Sequence, residues 1–329
     1  MKKIRAGIIG GAGYTGGELI RLLVNHPAAE IAFIQSRSQV GHPVSSVHRD
    51  LLGVTALSFT DDKSVYSDPS LDVVFLAQGH GEARKFLEET KLPPQVRVID
   101  LSQDFRLSTT SAFRDQKFVY GLPELNREKI KLSQFIANPG CFATAVQLAL
   151  LPLSVIAGGG RRVSVTGITG STGAGQKPSE TTHFSFRANN IQAYKTLTHQ
   201  HVAEIEESLK ARVSFVPWRG DFTRGIFVSA IVNRSEFLFP ASAAETLALY
   251  RTFYQTHPFI SVTNEPIDLK AVVNTNRAHI EINQSGESLV IHAAIDNLLK
   301  GASGQAVQNM NLMMGVEETT GLQLKGVAF

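Results

Sequence analysis

A glycine-rich turn lies between a strand pattern and a helix pattern at the start of the chain. Residues 4–9 form a short apolar run, the turn carries Gly10, Gly13 and Gly16, and apolar residues recur at helical spacing over residues 18–24. Glycines in such a turn allow tight bending, close approach to a pyrophosphate, and close packing of helix on strand. The spacing differs from the usual G-x-G-x-x-G, and a glycine turn before a helix can be only a turn. Its place in the first β-turn-α unit nevertheless favours dinucleotide binding.

Strand and helix patterns alternate through the first half of the chain. Apolar runs of strand length occupy residues 30–35, 71–77 and 96–101, and Ile136 and Ala137 are typical of the end of a further buried strand. Residues 120–125 are typical of a loop that re-enters the sheet. This alternation predicts an α/β fold with a Rossmann-type, doubly wound parallel sheet. Ligands of such sheets bind at the carboxyl ends of the strands.

The second strand indicates the type of cofactor. An NAD site would place an acidic residue at its end to bond the ribose 2′-hydroxyl. This chain has Ser36, Arg37 and Ser38 there instead. A cation with two hydroxyls suits a 2′-phosphate, so we predict NADP, with a solvated surface charge as the alternative for Arg37.

The chain's only cysteine, Cys141, follows the breaker cluster Asn138-Pro139-Gly140. The residues after it have a helical pattern that we expect to end at Pro152. A thiol at the start of a helix is favoured as a thiolate by the helix dipole and by unpaired N–H groups, which suits a nucleophile. The alternative is a buried cysteine that packs as a small apolar side chain. One cysteine cannot form an intrachain disulfide, so a cytoplasmic protein is expected.

The second half is predicted to be an α+β domain whose sheet face can pair subunits. Strand patterns follow a break at residues 158–160 and lie at residues 162–169, 213–216, 225–232, 269–273, 279–282 and 288–295. A glycine-rich loop follows at residues 170–178, and a helix is expected from Thr198. His199 and His201 lie near that helix start, where an imidazole can transfer protons near neutral pH. A packing histidine and a metal pair are the alternatives, and no ligand spacing supports a metal.

Composition sets the remaining limits. The chain has 329 residues, which suggests two domains, and a formal net charge of +3 without a basic run. We therefore expect no nucleic-acid partner. No apolar run has the length of a membrane span, so no membrane association is expected.

Several motifs together resemble the N-acetyl-γ-glutamyl-phosphate reductases of the aspartate-semialdehyde dehydrogenase superfamily. They are GGAGYTGGEL at 10–19, DLSQDFR at 100–106, YGLPEL at 120–125, NPGCFAT at 138–144, GSTGAGQK at 170–177, HQHVAEIE at 199–206, TRGI at 223–226 and DNLLKGASGQAVQNMN at 296–311. The resemblance implies that Cys141 is the nucleophile and that His201, or else His199, is the acid/base. The chain departs from the family at Gln176, where an arginine is usual, and at Trp218, where many members have histidine.

The resemblance also implies binding residues. The expected substrate-binding residues are Arg106, Arg224, Asn138 and Glu204. The expected cofactor-binding residues are Gly10, Gly13, Tyr14, Thr15, Gly16, Ser36, Arg37, Ser38, Gly173, Ala174, Gly175 and Asn297.

The implied activity is reduction of N-acetyl-γ-glutamyl phosphate by NADPH through a thioester, as in arginine biosynthesis. The alternatives are the same chemistry on aspartyl or carrier-bound aminoadipyl phosphate, and an NADP-binding module without catalysis. The expected domains are an NADP-binding domain over 1–140, completed by a C-terminal helix within 298–329, and a catalytic and dimerisation domain over 141–297. A homodimer or homotetramer is expected.

Overall fold

The computed structural model describes residues 2–156 and 161–327. The chain divides into two compact units, one made of Met1–Pro139 with Ala302–Gln323 and the other of Gly140–Gly301 with Leu324–Phe329. The break expected at residues 158–160 lies outside the described residues. No helix in the described ranges is long and apolar enough to cross a membrane.

The first unit is built on a six-stranded sheet with the order β2-β1-β3-β4-β8-β7, in which every paired neighbour is parallel. Its strands are β1 (Ile4–Ile9), β2 (Ala29–Gln35), β3 (Val73–Leu76), β4 (Arg97–Asp100), β7 (Val119–Tyr120) and β8 (Phe135–Ala137); β5 (Ala112–Phe113) and β6 (Gln116–Lys117) form a separate small hairpin. The central strand β3 is buried along its whole length, because helices cover both faces of such a sheet. The predicted parallel sheet is confirmed.

Four helices complete this unit: α1 (Tyr14–Leu23), α2 (Glu82–Glu89), α3 (Pro123–Leu132) and α8 (Gly304–Met313). The C-terminal helix α8 is buried throughout and packs against α1 and α3, so the expected return of this helix to the first domain is confirmed. The loop prediction for residues 120–125 was wrong at its end. Pro123 is the first residue of α3, a position where its fixed φ favours a helix and its missing N–H costs no hydrogen bond.

The second unit is built on a seven-stranded mixed sheet with the order β10-β11-β9-β12-β15-β14-β13. Its strands are β9 (Arg161–Thr169), β10 (Gln192–Ala193), β11 (Ala211–Arg219), β12 (Ile226–Asn233), β13 (Ile260–Thr263), β14 (Ala278–Ser285) and β15 (Ser288–Ile295). The strand predicted over residues 269–273 is wrong. The carbonyl of Leu269 accepts hydrogen bonds from the N–H groups of Val272 and Val273, so these apolar residues form a turn, and Val272 is buried within it.

The helices of the second unit are α4 (Cys141–Ile156), α5 (Phe184–Arg187), α6 (Val202–Leu209) and α7 (Ala243–Tyr254). Helix α6 begins at Val202, four residues later than the start expected at Thr198. The expected end of α4 at Pro152 was also wrong, because the helix continues to Ile156. A proline at position 152 cannot donate to the carbonyl of Leu148, but the hydroxyl of Tyr254 donates to that oxygen at 2.5 Å. Tyr250 likewise donates to the carbonyl of Ala149 at 2.7 Å.

We predict that Tyr254→Phe destabilises the protein by about 1–3 kcal/mol, because it leaves the buried carbonyl of Leu148 without a donor. Urea unfolding of the variant measures this change. In a Pro152→Ala background the residue at 152 regains an N–H that can bond the same carbonyl, so the cost of Tyr254→Phe should be smaller there. An equal cost in both backgrounds would contradict the role given to this hydroxyl.

Candidate active site

Cys141 is the first residue of α4 and is partly exposed. Strand β8 ends at Ala137, so three residues turn the chain from the strand into this helix. The lack of a side chain at Gly140 is essential here, because a Cβ at that position would clash with Nε2 and the rest of the His201 ring. A Cβ at Gly301 would lie 2.8 Å from the Cβ of Cys141. Gly140 therefore leaves room for the His201 imidazole, and Gly301 leaves room for the side chain of Cys141.

Glu204 holds both sides of this arrangement. One of its carboxylate oxygens accepts the N–H of Gly140 at 3.1 Å, and the other lies 3.9 Å from Nε2 of His201. His201 and Glu204 are both buried, and they are three residues apart at the start of α6. The carboxylate therefore lies between the Gly140 backbone and the imidazole that packs on it. The group can therefore supply a thiol, a nearby acid/base and a residue that positions it.

His199 lies in the same cluster, in an apolar environment. Its ring makes edge contacts with Phe142, Tyr194 and Phe215 at centroid distances of 5.6–5.7 Å. Nδ1 of His199 accepts the backbone N–H of His201 at 3.2 Å, and the two rings lie 4.6 Å apart. Burial lowers the pKa of His199 to about 4, with further lowering by Lys195 and Arg219. His199 is therefore a neutral ring at pH 7.

The lowered pKa of His199 predicts a pH dependence of stability. Between about pH 6.5 and pH 4 the unfolded chain binds a proton at His199 that the folded chain does not, so stability falls as the pH falls through this range. On acidification, the free energy of unfolding of the wild type should fall by about 2–3 kcal/mol more than that of a His199→Gln variant. Urea unfolding at pH 7.5 and 4.5 measures the difference, with the exposed His183→Gln as the control. Curves that stay parallel for wild type and His199→Gln would contradict the assignment.

The glycine-rich loop after β9 is attached to Asn297. The side-chain oxygen of Asn297 accepts the N–H of Gly225 at 2.7 Å, and its amide nitrogen donates to Oγ1 of Thr172 at 3.0 Å. Gly173, Ala174 and Gly175 follow on an exposed 3-10 turn, in which the N–H groups of Gly173 and Gly175 donate to the carbonyls of Gly170 and Thr172. Of the two family departures, Gln176 is exposed next to this turn, and Trp218 donates to Oγ1 of Thr166 at 2.9 Å.

Arg224 forms a bidentate ion pair with Asp296, with both N···O distances 3.1 Å. Asp296 is fully buried and also accepts the N–H groups of Asn274, Leu298 and Leu299. Sequence reasoning did not single out Asp296 as a site residue. Its only signal was a position beside Asn297 in a family motif.

In the first unit, the glycine turn has the close packing expected from its sequence. Gly10 has φ +83°, and a Cβ on it would lie 2.8 Å from the carbonyl oxygen of Ala77. A Cβ on Gly16 would lie 2.7 Å from the carbonyl oxygen of Gly10. Gly13 precedes α1 without a capping side chain, so the N–H groups of its first turn, which includes Tyr14 and Thr15, can face a ligand.

The segment after β2 lies partly open. Ser36 is buried, and its N–H donates to the carbonyl of Thr60 at 3.1 Å. Arg37 and Ser38 are exposed, and Nη1 of Arg37 lies 3.7 Å from a carboxylate oxygen of Glu82. Binding an anion at Arg37 would therefore break only a weak surface ion pair with Glu82.

Arg106 and Asn138 lie together in the first unit. Nε of Arg106 donates to the carbonyl of Asn138 at 2.9 Å, and a second nitrogen donates to the carbonyl of Leu101 at 3.0 Å. The Asn138 side chain donates to the carbonyl of Ala302 at 3.1 Å and accepts from Asn309 at 3.0 Å. Both residues are thus rigidly held.

The structure brings Cys141, His199, His201 and Glu204 together in the second unit, and in the same unit it joins Asn297 to the glycine-rich loop. The neighbours that sequence reasoning missed are Tyr194, Arg219 and Arg187. Within the described ranges, no group of three His, Cys, Asp or Glu residues is arranged to hold a metal.

Two family profiles match most of the chain. The semialdehyde dehydrogenase NAD binding domain matches residues 5–133, and the semialdehyde dehydrogenase dimerisation domain matches residues 141–297. The N-acetyl-gamma-glutamyl-phosphate reductase of Bacteroides fragilis is 49% identical over 99% of this chain and 100% of its own. That of Flavobacterium johnsoniae is 47% identical with the same coverage.

The fold agrees with a solved relative. Aspartate semialdehyde dehydrogenase II of Vibrio cholerae superposes with a TM-score of 0.72 at 18% identity, over 96% of this chain and 99% of that one. The sheet order, the mixed second sheet and the C-terminal helix are those of a semialdehyde dehydrogenase. With nearly half its residues identical to full-length relatives, the chain belongs to the N-acetyl-γ-glutamyl-phosphate reductase family of semialdehyde dehydrogenases.

Proposed function

We propose that this protein reduces N-acetyl-γ-glutamyl phosphate to N-acetylglutamate 5-semialdehyde and phosphate, using NADPH, as a step of arginine biosynthesis. The observation that carries the proposal is the position of Cys141 at the start of α4, with the His201 ring packed against Gly140. A family name alone would leave the chemistry unassigned, whereas a helix-start thiol beside an imidazole is suited to acyl transfer.

In the proposed reaction the Cys141 thiolate attacks the acyl carbon, and the bond to the phosphate oxygen breaks as phosphate leaves with the electron pair. When bound, NADPH would supply the hydride that reduces the resulting thioester. The carbon–sulfur bond then breaks, which releases the aldehyde and returns the thiolate. In this proposal, backbone N–H groups at the start of α4 would stabilise the oxyanion that forms next to Cys141.

We propose His201 as the acid/base and His199 as its support. His199 is neutral and accepts the His201 backbone N–H, so it positions the chain there instead of exchanging protons near pH 7. His201 has the Glu204 carboxylate 3.9 Å from its ring, and in this proposal the ring takes the proton of the Cys141 thiol and gives it to the departing phosphate. Glu204 is accordingly a positioning residue in this proposal.

The proposed substrate contacts are Arg106, Asn138 and Arg224. Arg106 and Asn138 are buried and held by backbone partners, which favours precise placement of their remaining donors. The guanidinium of Arg224 already shares its charge with Asp296. Its contact with a substrate anion therefore stays a prediction.

The proposed mechanism predicts that Cys141→Ser lowers the rate by at least about 1000-fold, because serine is a far weaker nucleophile at neutral pH. The assay is phosphate-dependent oxidation of N-acetylglutamate semialdehyde with NADP⁺, followed at the nicotinamide absorbance band. Ser154→Ala, a hydroxyl change further along α4, is the control.

The same assay with a panel of aldehydes tests the substrate. N-acetylglutamate semialdehyde should exceed aspartate semialdehyde and carrier-bound aminoadipate semialdehyde in kcat/KM. Full activity of Cys141→Ser would defeat the mechanism, a preference for another aldehyde would defeat the substrate assignment, and no turnover by the wild type would leave a binding module.

The cofactor is proposed to be NADP, bound at the glycine turn, at Ser36, Arg37 and Ser38, and at the loop of Gly173, Ala174 and Gly175 beside Asn297. The turn fits a pyrophosphate, since Gly10 and Gly16 allow strand, turn and helix to pack closely, and no side chain caps the start of α1. Arg37 is exposed and has only a weak partner in Glu82, so its cation can take a 2′-phosphate.

For Arg37→Ala we expect the KM for NADPH to rise about tenfold while that for NADH changes little, because only NADPH carries the 2′-phosphate. Steady-state kinetics with each coenzyme measure the ratio. Arg49→Ala, another exposed arginine of the same unit, is the matched control. Equal changes for both coenzymes would contradict the assignment.

The family profile over residues 141–297 is that of a dimerisation domain. On this basis a homodimer or homotetramer is proposed. A working thiolate requires a reducing compartment, which supports a cytoplasmic location.

A further inference from the structure

The second unit contains a buried arginine with no neutralising partner. Arg187, the last residue of α5, is 6% exposed, and none of its three guanidinium nitrogens has a hydrogen-bond partner among the described residues. Its guanidinium carbon lies 5.6 Å from the ring centre of the adjacent Phe186. A buried cation without a partner is costly, so such residues are kept where they bind something.

A second arginine lies next to the first. Arg219 ends β11; its Nε is also buried without a partner, and its Nη1 donates at 3.4 Å to Oγ1 of Thr181, three residues before the start of α5. Burial and the charge of Arg219 both lower the pKa of Arg187, while Asp221 acts in the opposite direction. The Asp221 carboxylate accepts the N–H of Asn189 at 2.6 Å, and no ion pair joins it to either arginine in the described part of the chain. Two cations are therefore held together without a carboxylate between them.

This pair adjoins the Cys141 cluster within the same unit. The Arg219 guanidinium lies 4.5 Å above the Tyr194 ring, whose other neighbour is His199 at 5.7 Å. Burial is the main cause that raises the pKa of Tyr194, and the charge of Cys141 raises it further. Arg219 contributes to the lowered pKa of His199. One aromatic ring thus separates the arginines from the two histidines.

We infer that Arg187 and Arg219 form an anion-binding subsite that holds an oxyanion group of the substrate, either its carboxylate or its phosphate. Guanidinium groups bind both anions through paired N–H donors, and a buried one with a second, half-buried one beside it binds more tightly than one exposed cation. The inference rests on the proposed function for the identity of the substrate. It assigns to this pair a role that Arg224, already neutralised by Asp296, is less free to perform.

The test uses the full-length enzyme in the aldehyde-oxidising direction, with aldehyde, inorganic phosphate and NADP⁺ varied in turn. For Arg187→Gln and Arg219→Gln we expect one KM to rise about 30-fold, which corresponds to about 2 kcal/mol. A rise for the aldehyde identifies the carboxylate as the bound group, and a rise for phosphate identifies the phosphate. In either case, the KM for NADP⁺ should stay unchanged.

The double variant adds a further requirement. Because both arginines hold one anion, the second substitution should cost less than it does alone. Arg212→Gln, an exposed arginine of β11 paired with Glu206 at 3.1 Å, is the matched control and should behave as wild type. Unchanged KM values for both aldehyde and phosphate, or a change for NADP⁺ alone, would overturn the inference.

Thermal melting separates a binding role from a structural one and needs no turnover. Without ligand, Arg187→Gln should melt at the same or a higher temperature than wild type, because a buried unpaired charge is removed. Inorganic phosphate or N-acetylglutamate should stabilise the wild type and the Arg212→Gln control more than Arg187→Gln. A lower melting temperature together with unchanged ligand stabilisation would mean a purely structural arginine. If the wild type oxidises no aldehyde, the proposed function fails, and melting still tests the subsite.

Discussion

The missing side chain at Gly140 is the constraint on which the arrangement of the second unit depends. It allows the His201 ring to pack directly on the backbone that leads into Cys141. The backbone N–H of Gly140 donates to the Glu204 carboxylate, which also lies beside His201. One glycine therefore fixes the start of α4 and the start of α6 together. Any larger residue would push these two helices apart at the point where their first residues meet.

Charge is distributed unevenly around this point. His199 is kept neutral by its apolar neighbours, and Arg224 is balanced by the buried Asp296. Arg187 alone among these groups keeps a buried charge that no described residue balances. The cluster therefore combines neutral or balanced groups near the thiol with a cationic region beyond Tyr194, which suits a substrate with a reactive carbonyl at one end and an anionic group elsewhere.

Much of this could be predicted from local sequence patterns. The turn with Gly10 and Gly16 and the start of α4 at Cys141 each follow from residues that are close in the chain. The errors arose where distant residues decide the outcome. Pro152 does not end α4 because the Tyr254 hydroxyl, from another helix, bonds the carbonyl that the proline leaves.

The arginine pair shows the same limit in the site. The sequence gives no sign that Arg187 is buried, because its four-residue helix carries no pattern that would bury it. Its importance comes from the absence of a partner, which only the folded arrangement reveals. The turn at residues 269–273 was missed for another reason, since an apolar run does not distinguish a strand from a turn closed by local hydrogen bonds.

The partial exposure of Cys141 has a practical consequence. Since it is the chain's only cysteine, a thiol-specific reagent can modify each molecule at one position, without prior removal of other sulfhydryl groups. One equivalent of label per chain would then count the competent protein in a preparation. A fluorophore or spin probe attached there would report from the first turn of α4 alone.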